Sequence, residues 1–180
     1  LKSPYKVPGR RRHRLDLDRW LEDGHVRFAY VVGTTWIQAM PGSSALEDAF
    51  KKLTKFNPHQ VRSFDKQTII DTLKRRVDSG GMVIANQDIY LRDPIGNQYA
   101  DLVFPAAGWG EEDFTRANSE RRVRLYGKFC DAPGEAMPDW KIAASLAKKM
   151  GFKGFDWKDS NEVFEETCRF SRGSRKDYNA

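Results

Sequence analysis

The chain is poor in the residues that build a self-contained reactive centre. Of its 180 residues only two are cysteine and three are histidine. Cys130 and Cys168 lie far apart without a partner spacing, so they do not make a cysteine-rich zinc or iron–sulfur site by themselves. They read as two buried or half-buried thiols. His13, His25 and His59 are scattered, and nothing places them beside a serine and an acid. Neither G-x-G-x-x-G nor G-x-x-x-x-G-K-[ST] occurs, which removes the standard dinucleotide and triphosphate cradles. The adjacent acids Glu111-Glu112 and Glu165-Glu166 diverge along the backbone rather than converge on a substrate. No apolar run approaches the roughly 18 residues of a membrane helix. Internal repeats and low-complexity stretches are absent too. A chain without its own catalytic group is expected to work with something it holds.

What is present describes a water-compatible α/β domain. Hydrophobic residues make up 39% and charged residues 31%, and 180 residues are enough for one domain with a real core. The net charge of +6 is concentrated at Arg10 to Arg14 and again at Arg121, Arg122 and Arg124. That balance suits phosphate-bearing partners, although a charge run is most often a solvated surface. The arginines lack interleaved aromatics and any groove-reading motif, so no nucleic-acid partner is expected. Residues 1–14 carry no apolar core of a signal peptide. An opening on Leu1 and an ending at Ala180 read as a piece of a longer protein, in which case the missing targeting segment is uninformative about compartment.

Along the chain, residues 1–14 read as an irregular lead-in. Leu17, Trp20 and Leu21 share one face of a short helix closed by Asp23-Gly24. His25 to Val32 is a strand that runs into Gly33-Thr34-Thr35. Ser43 or Ser44 caps a helix to Leu53 with Leu46, Ala49, Phe50 and Leu53 on one stripe. A loop containing Asn57-Pro58 follows. Asp65 caps a second helix with the stripe Ile69, Ile70, Leu73 and Val77, ended by Gly80-Gly81. Met82 to Ala85 is a strand, Asp93 to Asn97 a polar connection, and Asp101 to Phe104 a third strand stopped by Pro105. Val123 to Tyr126 is a fourth, half-exposed strand. Asp139 caps a helix through Met150, with Ile142, Leu146 and Met150 in register. Asp159 and Glu162 form a capping box for the last helix. The order predicts an α/β fold: a mainly parallel sheet flanked by helices, Rossmann-like and three-layered, with right-handed crossovers.

The chemistry is expected at the carboxyl ends of the strands, where open α/β sheets bind ligands. Three loops leave those ends: Gly33-Thr34-Thr35, Asn86-Gln87-Asp88, and Pro105 to Glu111. A carboxylate at such a position presents two fixed acceptors. It suits the paired N–H groups of a guanine edge or the two hydroxyls of a ribose. Asp88 is the first candidate. Asp139 is the second, with a plain helix cap as its alternative role.

At these residues the chain resembles the molybdopterin-guanine-dinucleotide oxidoreductases, the family of dimethyl sulfoxide reductase, formate dehydrogenase and periplasmic nitrate reductase. Several motifs carry the resemblance in the family's order: Val31 to Ala39 after the first strand, Asn86-Gln87-Asp88 after the second, Tyr99 to Glu111, Asn118 to Arg122, and Pro133 to Trp140. Within the family the chain looks most like the arsenite oxidase large subunit. The resemblance there rests on Glu120 to Leu125, Lys128 to Gly134 and Gly154 to Lys158. It departs from that branch at Ala117-Asn118-Ser119 and at Trp109-Gly110-Glu111, where the iodate reductases and nitrate-type enzymes stay open.

The resemblance implies that residues 15–151 are the domain gripping the guanosine end of a bis-molybdopterin guanine dinucleotide cofactor that carries molybdenum. Residues 152–180 then form a helical extension toward the next domain. By position Gly33, Thr34, Thr35, Gln87, Asp88 and Asp139 are the implied cofactor-binding residues, with no catalytic residue and no metal ligand in this stretch. Glu112 stands where the nitrate reductases have a cofactor-contacting lysine. The implied reaction is arsenite oxidation to arsenate by oxygen-atom transfer, with iodate or nitrate/nitrite chemistry as the alternative. Also implied are an iron–sulfur cluster outside this segment, an electron-transfer small subunit that is Rieske-type if the enzyme is an arsenite oxidase, a cytochrome or similar carrier, and a periplasmic location. A rival reading is a stand-alone nucleotide-sensing module that catalyses nothing.

Overall fold

The computed structural model describes residues 14–55, 65–91, 94–117 and 122–173. The arginine run at 10–13, the loop around Asn57-Pro58, Asp93 and the segment 118–121 lie outside them. The described residues fall into two compact units, one within Arg11–Pro105 and the other within Ala106–Ala180.

The first unit is built on a parallel sheet of β1 (Phe28–Val32), β2 (Val83–Asp88) and β3 (Leu102–Pro105), in that spatial order. Tyr30 pairs with Ala85 and Ala85 with Leu102, so the three strands run in step. The helices are α1 (Arg14–Glu22), α2 (Trp36–Ala39), α3 (Ser43–Leu53) and α4 (Lys66–Asp78). The α3 stripe at spacings of three, one and three residues is buried as its periodicity predicts, with Phe50 fully enclosed. Phe50 meets Trp36 edge-on at 5.5 Å and Tyr99 at 5.8 Å. Ala29, Val31 and Ile84 supply the sheet's contribution to this core.

Several local expectations are corrected. Gly42, not Ser43 or Ser44, precedes α3. Of the α1 face only Leu21 is enclosed, while Leu17 and Trp20 stay exposed. In place of a polar connection, Ile95–Tyr99 forms a π-helical turn that buries Ile95 and Tyr99. The Tyr99 hydroxyl donates to Glu47 at 3.0 Å. On α4 the apolar stripe is only half-buried and the enclosed residue is Arg76. Its guanidinium lies 2.6 Å from the Asp101 carboxylate, both side chains being 1% or less exposed. The other Asp101 oxygen accepts the Ile84 N–H at 2.9 Å.

Asp65 caps α4 as expected, accepting the Thr68 N–H at 2.8 Å. At the other end Gly80, with φ of +91°, lets its own N–H reach Val77 and that of Gly81 reach Arg76. A Cβ on Gly81 would fall 2.7 Å from the Leu53 carbonyl oxygen, the acceptor for the Met82 N–H. Gly81→Ala is therefore expected to destabilise this unit by about 1–3 kcal/mol. Faster hydrogen exchange at Met82 in the full-length subunit checks it, and unchanged exchange there would count against it.

In the second unit, β5 (Val123–Tyr126) pairs antiparallel with β4 (Phe114–Ala117), a strand the sequence reading missed. Phe114 stacks on Tyr126 across the pair at 5.0 Å. Helix α5 (Asp139–Lys149) buries Ile142 but leaves Met150 beyond its end exposed. Pro138 precedes it, taking the Lys141 and Ile142 N–H bonds, so Asp139 is the first helical residue rather than the cap. Asp159 caps α6 (Ser160–Ser171), while Glu162 reaches back one residue further than a capping box requires, to the Lys158 N–H.

Candidate functional site

The carboxyl ends of all three parallel strands meet at one edge of the first unit. Val32 is in register with Gln87, Gln87 with Phe104, and Asp88 with Pro105. Gly33 leaves β1 with φ of +54°, a conformation that strains any residue with a Cβ. Its N–H donates to the Gln87 carbonyl at 2.9 Å, which fixes the turn to the end of the central strand. Thr34 is exposed and Thr35 half-buried, and the chain then enters α2. The Trp36 indole N–H donates to Asp18 at 2.9 Å, so α2 is held against α1 and the turn cannot drift.

Gln87 and Asp88 were expected in a loop after the strand; they are its last two residues. A central strand takes ladder bonds from neighbours on both sides, and that pairing carries polar residues into the sheet. Both are buried, Gln87 to 2% exposure and Asp88 to 9%. The Gln87 side-chain oxygen accepts the Tyr30 hydroxyl proton. Tyr30 also meets Phe104 edge-on at 6.2 Å. The Asp88 carboxylate accepts the Ile89 N–H at 2.8 Å, which fixes its orientation at the edge. Sequence reading missed Tyr30. The signal was the two-residue alternation that puts it on the same face as Gln87 once the strands are known to be parallel.

The remaining candidates lie in the second unit. Gly108 and Glu111 close a tight turn through two bonds, Glu111 N–H to the Gly108 carbonyl at 2.9 Å and Gly108 N–H to the Glu111 carboxylate at 2.7 Å. Asp139 is exposed at the start of α5 and borders a cleft of about 440 Å³ with Glu112, Phe114, Trp140 and Phe164. Burial, with the charge of Asp139 second, pushes Glu112 up to about 6 from an ordinary 4.5. An acid raised on folding lends stability that is complete below 4.5 and lost as pH rises through about 6. Glu112→Gln is expected to flatten that part of the stability profile of the full-length subunit. A thermal-midpoint series across the window checks it; a variant with the wild-type slope would contradict it. No group of three or more His, Cys, Asp or Glu suited to a metal ion occurs among the described residues.

The three-stranded parallel sheet flanked by helices makes this an α/β fold, and its strand ends gather a buried carboxylate, an amide, a glycine turn and two threonines. Residues 20–149 match the model of the molybdopterin oxidoreductase family, and the chain belongs to that family. It is 57% identical over 179 residues to the iodate reductase subunit IdrA of Pseudomonas sp. (strain SCT), and 58% identical over 179 residues to that of Denitromonas iodatirespirans. Each comparison covers 98% of this chain and 20% of the relative, so the chain spans about a fifth of the length of these curated relatives. To the arsenite oxidase subunit AioA of Herminiimonas arsenicoxydans it is 28% identical over 173 residues, 87% of this chain and 21% of that protein. The branch read from the motifs therefore shifts from arsenite oxidase toward the iodate alternative. Family membership implies a molybdenum–pterin cofactor.

Proposed function

We propose that this chain is the part of an iodate-reducing molybdenum enzyme's catalytic subunit that holds the nucleotide tail of a bis-molybdopterin guanine dinucleotide cofactor. The observation that carries the binding role is the shared strand-end edge of Gly33, Gln87 and Asp88. An added Cβ on Gly33 meets no atom within 4 Å, so the backbone there faces open space. The acceptors and hydroxyls match a purine edge and a ribose: Asp88 takes adjacent N–H donors, while Thr34 and Thr35 serve sugar or phosphate oxygens. Asp139, in the second unit, is a separate candidate for a cofactor contact. When bound, the cofactor supplies two-electron oxygen-atom transfer, while the protein contributes binding and tuning. This chain's residues orient the tail; no proton or electron step falls to them.

The substrate reading rests on identity to the IdrA subunits, twice that to AioA. An iron–sulfur cluster elsewhere in the subunit, an electron-transfer small subunit, a cytochrome-like donor and a periplasmic location complete the proposal, carried from the family resemblance. Assay of the full-length subunit with its partner decides the substrate. Iodate is expected to oxidise a reduced viologen, and arsenite is expected not to reduce an acceptor dye. Arsenite turnover without iodate turnover would restore the first branch reading.

A further inference from the structure

A second feature lies at the opposite, amino-terminal end of the sheet, beside the turn that leads into β2. The Arg76 guanidinium there is 1% exposed. Its Nη1 donates to Asp101 at 2.6 Å and to the Met82 carbonyl at 3.3 Å. Its Nε and Nη2 are buried and have no hydrogen-bond partner among the described residues. These two atoms form one edge of the planar fork, the edge that grips a carboxylate or phosphate with two parallel N–H bonds. Arg76 lines a small cleft of about 120 Å³ together with Lys52, Lys55 and Ser79. No ion pair among the described residues engages either lysine.

The charges decide what the fork meets. Among the described residues Asp101 offsets one of the three cations, Arg76, Lys52 and Lys55, which leaves two positive charges in excess. A buried donor without an acceptor is costly, so an acceptor is expected. A water molecule satisfies donors but offsets no charge; a small oxyanion does both. The volume accommodates a group of that size and no nucleotide. We infer that the Arg76 Nε–Nη2 edge, with Lys52 and Lys55 at its rim, is a binding site for a small inorganic oxyanion, separate from the cofactor edge.

Inorganic phosphate is the probe, titrated into the full-length subunit at constant ionic strength while the thermal midpoint is followed. A ligand that binds only the folded state raises the midpoint saturably. Wild type is expected to show that rise. Arg76→Lys keeps a cation opposite Asp101 but lacks the two-donor edge, and is expected to weaken the phosphate response at least tenfold. Lys52→Ala/Lys55→Ala alters only exposed side chains, so it should fold, and is expected to weaken the response similarly. A wild-type midpoint indifferent to phosphate would overturn the inference, as it would if an acidic side chain of the longer polypeptide already occupied the fork. An equal response in wild type and the double-lysine variant would also overturn it, marking a general salt effect.

Discussion

Replacing Asp101 with alanine is expected to destabilise the sheet unit by about 3–5 kcal/mol, because it leaves a buried guanidinium without its charge partner. Asp101 does two things at once. It sits 2.6 Å from Arg76, and it accepts the Ile84 N–H at 2.9 Å just before β3 begins. Truncation therefore removes the partner of a buried charge and of a backbone donor at once. Hydrogen exchange of the β2 amides in the full-length subunit is expected to quicken by roughly 10²- to 10⁴-fold, up to the ceiling set by global unfolding. Replacing both partners, as in Arg76→Met/Asp101→Leu, is expected to recover much of the loss, since an apolar pair of similar volume carries no desolvation penalty. A double variant as unstable as Asp101→Ala would show that the pair does more than neutralise itself.

Replacing Asp88 with alanine in the full-length subunit is expected to lower molybdenum content sharply. A hydrogen bond to a charged group contributes about 1.5–3 kcal/mol, so losing the strand-end carboxylate weakens retention of the tail by roughly 10- to 100-fold. Molybdenum per polypeptide, measured by mass spectrometry on the purified subunit, reads this directly. Asp88→Asn keeps an oxygen for the Ile89 N–H but presents an amide in place of one carboxylate oxygen. It is expected to fold normally and still lose molybdenum, which separates binding from folding. Full molybdenum content in both variants would remove Asp88 from the cofactor edge.

How much of this was legible beforehand depended on the range of the interaction. The α3 stripe, the Asp65 cap and the Gly80 turn were all readable, because each is settled by neighbours within four positions. The strand run ending at Gly33 was readable for the same reason. The failures involve partners distant in the chain. Polarity suggested a loop for Asn86 to Asp88, but strands on both sides drew those residues into the ladder. Arg76 falls off the apolar stripe of α4, and its burial depends on Asp101, 25 positions away. Strand β4 carries the mixed pattern Phe114-Thr115-Arg116-Ala117, and only pairing with β5 makes it a strand.

The amino-acid order alone determined the class of fold and the parallel sheet whose strand ends share one edge, since hydrophobic periodicity and glycine placement are local and strong. Its motifs also carried the family. Tertiary structure decided which polar groups are buried together: Tyr30 with Gln87, Glu47 with Tyr99, and Arg76 with Asp101. The physical reason is that a buried polar group is tolerated only beside a partner. That partner is supplied by the sheet register and helix packing, which no short stretch of residues contains.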